Sequence, residues 1–205
     1  KAGDSLALVC SNRAEFVEVL AATQRSGIRI TPVNWHLTVD EIAYIIKDCE
    51  AKAVVGEARI ANVGPAAAEC PDLVLKLSVG GHIDGFEEYD RTLAPIDGSD
   101  IPDPVLGNAM MYTSGTTGRP KGVHRPNVVV TPHAMYQMRG YDHRTSVQMC
   151  AGPAYHAAPL AFDVRAAMGA GVPLIFIDKW DSHHVLKTIS EMKVTHLHLV
   201  PIMFQ

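Results

Sequence analysis

Along the chain, short apolar runs rich in β-branched residues alternate with stretches of roughly ten to fifteen residues in which apolar positions recur every three or four. A period of two suits a half-buried strand and a period near 3.6 suits a helix; their regular alternation marks βαβ units and a mainly parallel sheet. The pattern therefore predicts an α/β fold with helices flanking mainly parallel sheets. Strands are expected at residues 5–10, 28–33, 53–55, 73–79, 108–112, 146–150, 172–177 and 195–200. Helices are expected at about 14–26, 37–49, 60–68, 128–140, 157–170 and 183–192. Two of these carry end signals. Gly27 follows the first helix, where a left-handed residue closes the last turn. Thr38 with Glu41 three residues on has the spacing of a capping box at the start of the second. In that second helix Ile42, Ile45 and Ile46 share one face and are placed to pack on a sheet. Residues 80–107 break the rhythm with proline, glycine and aspartate, and read as a linker or surface excursion.

Composition narrows the classes. With 205 residues and 47% hydrophobic content the chain can bury a sizeable core. Its 18 Lys+Arg against 22 Asp+Glu give a formal charge of −4, and no run of like charges would track a polyanion, so nucleic-acid binding is not expected. The most apolar stretch, 157–177, is interrupted by Asp163 and Arg165, which argues against a transmembrane segment. Cys10, Cys49, Cys70 and Cys150 lie far apart and form no CxxC pair, so they suggest neither a zinc site nor a redox motif. Free thiols in a reducing, cytoplasmic compartment are the expectation. The chain opens at Lys1 directly into a strand pattern, with no signal-peptide regions, and closes on Pro201 and IMFQ, which read as the start of a helix. Both ends read as truncated.

The chemistry concentrates at residues 112–123, YTSGTTGRPKGV, directly after an apolar strand. Gly115, Gly118 and Gly122 allow positive φ and close backbone approach, so that successive N–H groups can point at anionic oxygens. Ser114, Thr116 and Thr117 add neutral donors, Lys121 adds a mobile positive charge, and Pro120 restricts the backbone beside it. The segment is not a Walker A loop, because Pro120 and Gly122 flank the lysine where that motif needs glycine and a hydroxyl. It is neither GxGxxG nor the GxSxG of a nucleophile elbow. Phosphate is the ligand this composition fits.

These residues closely resemble the signature of the adenylate-forming superfamily, which includes acyl-CoA synthetases, beetle luciferases and peptide-synthetase adenylation domains. Flanking segments are similar in the same order: residues 4–18 (DSLALVCSNRAEFVE), 27–37 (GIRITPVNWHL), 152–160 (GPAYHAAPL) and 197–204 (LHLVPIMF). The likeness is greatest to an acyl-CoA synthetase of fatty or other hydrophobic acids, since GPAYHAAPLAF could line an apolar acyl channel.

The resemblance implies that residues 1–205 are a fragment of the N-terminal AMP-binding domain, with the C-terminal domain absent. It implies ATP-dependent activation of a carboxylic acid to an acyl-adenylate, then transfer to the thiol of CoA. ATP, Mg2+ and CoA are the implied cofactor and co-substrates. By resemblance, Thr113, Ser114, Gly115, Thr116, Thr117, Gly118, Lys121 and Gly122 hold the β- and γ-phosphates, Lys121 acts in catalysis, and Thr113 joins the magnesium shell. Two readings stand for His156: a structural histidine, or a residue beside the acyl pocket that gates it or approaches the carboxylate. A carboxylate needs no base near neutral pH. His183, His184, His196 and His198 resemble metal spacings only superficially, and read as a solvated helix start and one face of a strand.

Two departures from the family pattern stand out. After Val123 the sequence reads HRPN, shorter than the usual lead to a Thr/Ser-His pair, which leaves the role of His124 open. No Y-G-x-T/S-E motif, ribose-binding T-G-D, hinge or C-terminal lysine is present. The isolated chain is accordingly expected to be incompetent. A noncatalytic module, and an enzyme that loads a carrier-protein thiol, remain as alternatives, and a homo-oligomer is admissible.

Overall fold

The structure, a computed structural model, describes residues 1–113, 119–124 and 139–204. The chain divides into two units, Lys1–Pro126 and Asn127–Gln205.

In the first unit, β1 (Ser5–Val9) is buried at every position, as a strand covered on both faces of a parallel sheet must be. It pairs in parallel with β2 (Arg29–Pro32) on one side and with β3 (Ala51–Glu57) on the other. Beyond β3 come β4 (Leu75–Val79) and the two-residue edge strand β5 (Glu87–Glu88); beyond β2 come β6 (Asn108–Thr113) and β7 (Lys121–His124). The order is β5-β4-β3-β1-β2-β6-β7, parallel throughout except for the antiparallel pair β6–β7.

The helices follow from the same pattern. α1 (Ala14–Arg25) buries Phe16, Val19, Leu20 and Thr23, and Gly27 follows it in the left-handed region at φ 70. α2 (Val39–Asp48) starts at the capping box read from the sequence: Glu41 N–H donates to Thr38 Oγ1, and Thr38 N–H donates to the Glu41 carboxylate. Its buried Ile42, Ile45 and Ile46 join Ala7, Val9, Val54 and residues of α3 (Val63–Ala68) in one core cluster. Burial of each such isoleucine contributes about 1.5–3 kcal/mol. Because Ala7 and Val9 face α2 and α3, their strand alternates Leu6 and Leu8 face the opposite side.

The segment 80–107 is not uniform. Its first half supplies β5 and α4 (Tyr89–Leu93) and buries Phe86 and Tyr89, whose hydroxyl donates to Glu18 at 3.1 Å. Residues 94–106 are exposed at every position. At Gly107 the chain passes so close to α1 that a Cβ would stand 2.2 Å from the Thr23 carbonyl oxygen.

The second unit holds a parallel three-stranded sheet, β10-β8-β9, built from β8 (Gln148–Cys150), β9 (Leu174–Phe176) and β10 (His196–Leu197). Helix α5 runs as Ala157–Pro159, a π turn at Leu160–Arg165, and Ala166–Ala170, ending at Gly171 with φ 65. α6 (Ser182–Met192) is capped by Asp181, which accepts from the His184 N–H at 2.6 Å. Met149, Ala151, Ile177 and Val185 form its small core, with Trp180, Ile189 and Val194 packed against it.

The expected helix at 128–140 lies outside the described residues, Arg139 and Gly140 excepted. All four cysteines are free and buried. Among the described residues no helix is long and apolar enough to cross a membrane.

Candidate functional site

The described part of the glycine-rich motif at 112–123 lies on a β-hairpin, a form the sequence pattern did not suggest. β6 runs out of the parallel sheet and β7 returns along it, with Met110 opposite His124, Met111 opposite Val123, Tyr112 opposite Gly122 and Thr113 opposite Lys121. Thr113 and Lys121 are thus direct cross-strand partners at the ends of the two stems, and both are exposed. Ser114, Gly115, Thr116, Thr117 and Gly118 lie outside the described residues.

Gly122 is needed for a steric reason. A Cβ there would stand 2.1 Å from Met110 Cε and 3.0 Å from Tyr112 Cζ, so a larger residue would have to displace the end of the Met110 side chain and shift the phenol ring. His124 faces Asn108 across the hairpin, its Nε2 3.2 Å from Asn108 Oδ1. The hairpin touches α2 twice: the Tyr112 hydroxyl donates to Asp48 Oδ2 at 2.5 Å, and the Arg119 guanidinium lies 5.4 Å from the Tyr44 ring centroid.

β6 points the same way as β1, β2 and β3, so Thr113 lies toward the carboxyl edge of the sheet, where open parallel sheets bind ligands. At the same ends of β1 and β3 sits Glu57, buried yet well partnered. It accepts from the Ser11 N–H at 2.9 Å and pairs with Arg59 at 2.5 Å and Arg13 at 3.4 Å. Beside it a cleft of about 310 Å³ is lined by Trp35, His36, Arg59, Ile60, Ala61 and Asn62, with Arg59 5.7 Å from the Trp35 ring centroid. A cleft of about 360 Å³ at the starts of β1 and β3 mixes Arg29, Lys47 and Lys52 with Asp4, Glu50 and Asp72 and includes none of the loop's residues.

In the second unit His156 is the residue from which α5 starts: its backbone is extended and its carbonyl accepts the Leu160 N–H at 3.0 Å. The residue is exposed overall, but its ring tilts against Tyr155 at 4.7 Å and desolvation there holds its pKa below the usual histidine value. The neutral imidazole therefore dominates at neutral pH.

Asp163 was legible only as an interruption of an apolar stretch. The structure buries it completely inside the π turn. Its Oδ1 accepts from Gln148 Nε2 at 2.9 Å, and the Tyr141 hydroxyl donates to Gln148 Oε1. Among the described residues Oδ2 has no hydrogen bond, although His198 Nδ1 approaches to 3.8 Å. Burial pushes the Asp163 carboxyl up to about 7, against the opposing pull of Arg139. Arg139 also donates to the Phe162 carbonyl at 2.6 Å. His196 stacks on Tyr141 at 4.2 Å and contacts the Arg139 carbonyl at 3.0 Å, while His183 and His184 lie exposed in the first turn of α6.

Among the described residues no group of three or more His, Cys, Asp or Glu is placed to hold a metal ion. Thr113 offers one hydroxyl and Lys121 one ammonium across the hairpin, a donor set suited to phosphate oxygens. A magnesium ion beside them would draw its remaining oxygens from the phosphates and water, as this ion ordinarily does.

The family model for the AMP-binding enzyme matches residues 1–205. A long-chain-fatty-acid–CoA ligase of Mycobacterium tuberculosis is 30% identical over 197 residues, covering 94% of this chain and 38% of that protein. A 4-hydroxybutyrate–CoA ligase of Metallosphaera sedula is 26% identical over 223 residues, covering 98% and 39%. The chain spans about two fifths of the length of these curated relatives. Among solved structures, the anthranilate CoA ligase AuaEII in complex with anthranoyl-AMP superposes with a TM-score of 0.85 at 20% identity, covering all of this chain and 41% of that one. The o-succinylbenzoate CoA synthetase of Bacillus subtilis in complex with ATP and magnesium superposes with a TM-score of 0.74 at 19% identity, covering 100% and 52%. These structural likenesses are of fold, a mixed α/β architecture with a mainly parallel sheet, and the family model's match along the whole chain shows that this chain belongs to the AMP-binding enzyme family.

Proposed function

We propose that the full-length protein activates a carboxylic acid with ATP to an acyl-adenylate and pyrophosphate, then passes the acyl group to the thiol of CoA. The observation that carries the reading is the β6–β7 hairpin, which sets Thr113 and Lys121 opposite each other at the carboxyl edge of the sheet. The relatives named above as CoA ligases support the choice of acceptor.

In this proposal Lys121 and the Thr113 hydroxyl bind oxygens of the β- and γ-phosphates, together with Ser114, Gly115, Thr116, Thr117 and Gly118. Thr113 completes the shell of a magnesium ion held on those phosphates; the ion supplies charge neutralisation where two anions meet. Lys121 stabilises the negative charge that gathers on departing pyrophosphate, the electrostatic contribution that counts most in such a transfer. Gly122 keeps the Lys121 backbone close to Tyr112, so the ammonium leaves from a fixed strand. His156, neutral and exposed at the start of α5, is the proposed wall of the acyl site. The acid is of the hydrophobic class suggested by the small residues around it, and the reaction belongs to the cytoplasm, where buried free thiols persist.

Acid-dependent ATP–pyrophosphate exchange by the full-length protein is the test, across straight-chain and aromatic acids. Exchange with at least one acid is expected; none with any acid would sink the proposal. The coverage of only about two fifths of the relatives supports a second statement, that residues 1–205 alone turn nothing over. Acid-dependent ATP–pyrophosphate exchange by that chain alone would contradict it, and weak or absent ATP binding in calorimetry is expected.

A further inference from the structure

Two side chains on successive turns of α2 reach the two sides of the hairpin. On the entering stem, one residue before Thr113, the Tyr112 hydroxyl donates to Asp48 Oδ2 at 2.5 Å. The Tyr44 hydroxyl donates to Asp48 Oδ1 at 3.4 Å, and its ring lies under Arg119, two residues before the leaving stem begins. Tyr112, Asp48, Tyr44 and Arg119 thus form an unbroken line from one stem, across the helix, to the approach of the other. The other face of α2 carries Ile42, Ile45 and Ile46 into the core, so the line is anchored to a helix packed on the sheet.

Three observations separate this arrangement from ordinary surface pairing. Asp48 is the last residue of α2, where a negative charge opposes the helix dipole, so the helix gains nothing from a carboxylate there. Asp48 is exposed, where such contacts add little to folding stability. Lastly, Gly122 leaves open the space that the Tyr112 ring needs to reach Asp48, since a Cβ would stand 3.1 Å from the phenol oxygen. Burial, with the Asp48 hydrogen bond second, pushes the Tyr112 pKa up and keeps its hydroxyl a donor.

We propose that Asp48 and Tyr44 are positioning residues for phosphate binding: they fix the hairpin at Tyr112 and Arg119 so that Thr113 and Lys121 converge on one polyphosphate. This inference rests on the ATP reading above. Thr113 and Lys121 are direct cross-strand partners, so whatever holds Tyr112 and Arg119 beside them also sets where the hydroxyl and the ammonium stand. Donors held in place beforehand lose less freedom when a ligand binds.

The experiment is steady-state ATP–pyrophosphate exchange in the full-length protein with Asp48→Ala, Asp48→Asn, Tyr112→Phe, the Asp48→Ala/Tyr112→Phe pair and Lys121→Ala. Asp48→Ala and Tyr112→Phe are each expected to raise KM for ATP about threefold to tenfold, the size of one net hydrogen bond. KM for the acid and the melting temperature stay unchanged, and the double variant is no worse than the poorer single one. Asp48→Asn, whose amide oxygen still accepts the phenol, stays within about twofold of the unsubstituted protein. A rise in both KM values with a lower melting temperature, or an asparagine variant as impaired as alanine, makes the contact merely structural and overturns the inference. If Lys121→Ala raises KM for ATP and Asp48→Ala does not, the clamp alone is wrong. If the unsubstituted protein shows no ATP dependence, the ATP reading fails and the clamp with it.

Discussion

The β6–β7 hairpin and the π turn of α5 each hold chemistry, but they hold it in opposite ways. The hairpin exposes a hydroxyl and an ammonium on a frame kept open by the absence of a side chain at Gly122. The π turn hides a carboxyl, Asp163, among Gln148, Cys150 and His198. In the hairpin the proposed ligand follows from the residue types alone, because backbone, hydroxyl and charge are what phosphate binding uses. At the π turn one aspartate in an apolar run says nothing until its neighbours are known. Local chemistry is written in composition; buried chemistry is written in contacts.

Four substitutions would break or sharpen that contrast, and the largest effect belongs to the hidden group. The Asp163 carboxyl titrates near 7 when folded, against an ordinary value of 3.8. A raised acid binds its proton more tightly in the folded state, so its contribution is full below about 4 and is lost as pH rises through about 7. The loss is on the order of 4 kcal/mol, most of the reserve of a small unit. Urea unfolding from pH 4 to pH 8, followed through the second unit, should show stability falling over that window. Asp163→Asn should flatten the slope, and an unchanged slope would remove Asp163 from the explanation.

Next comes Gly122→Val, whose Cβ and methyls collide with Met110 and the Tyr112 ring; overpacking of this kind costs about 1–3 kcal/mol. Faster amide exchange along Met110 and His124, with the second unit untouched, is the expected readout. Lys121→Ala follows, reducing ATP–pyrophosphate exchange several-fold without abolishing it, since one charge-assisted contact among several is lost, about 1–2 kcal/mol. Smallest is His124→Ala. Its hydrogen bond to Asn108 is only partly buried, so stability should move by less than about 1 kcal/mol and exchange should hold within about twofold. A large loss of exchange there would show that His124 takes part in the site.

Much of the fold was legible because it repeats simple periodicities. The all-buried SLALV of β1, the Thr38–Glu41 box and the isoleucine face of α2 were each read from sequence and are where the pattern puts them. β7 was not legible: Lys-Gly-Val-His has a charge and a glycine where strands favour branched or aromatic residues, and it is a strand only because β6 offers an edge to pair with. β5 escaped for a similar reason, since two glutamates make a strand only against Leu77 and Ser78. The π turn left no periodic signal, because one extra residue per turn is lost in a window of ordinary helical spacing. In the candidate site, Thr113, Lys121 and Gly122 were found by motif. Asp48, Tyr44 and Asp163 were not, because their meaning depends on partners far along the chain.

The buried cysteines turn these two regions into separately readable parts. Cys10, Cys49 and Cys70 lie in the first unit and Cys150 in the second, all without a disulfide and all with thiols pushed up by burial. A thiol so placed reacts with an alkylating reagent only when its surroundings open. Reagent uptake resolved by peptide would therefore clock the opening of each unit in one sample, with no label introduced and no residue changed.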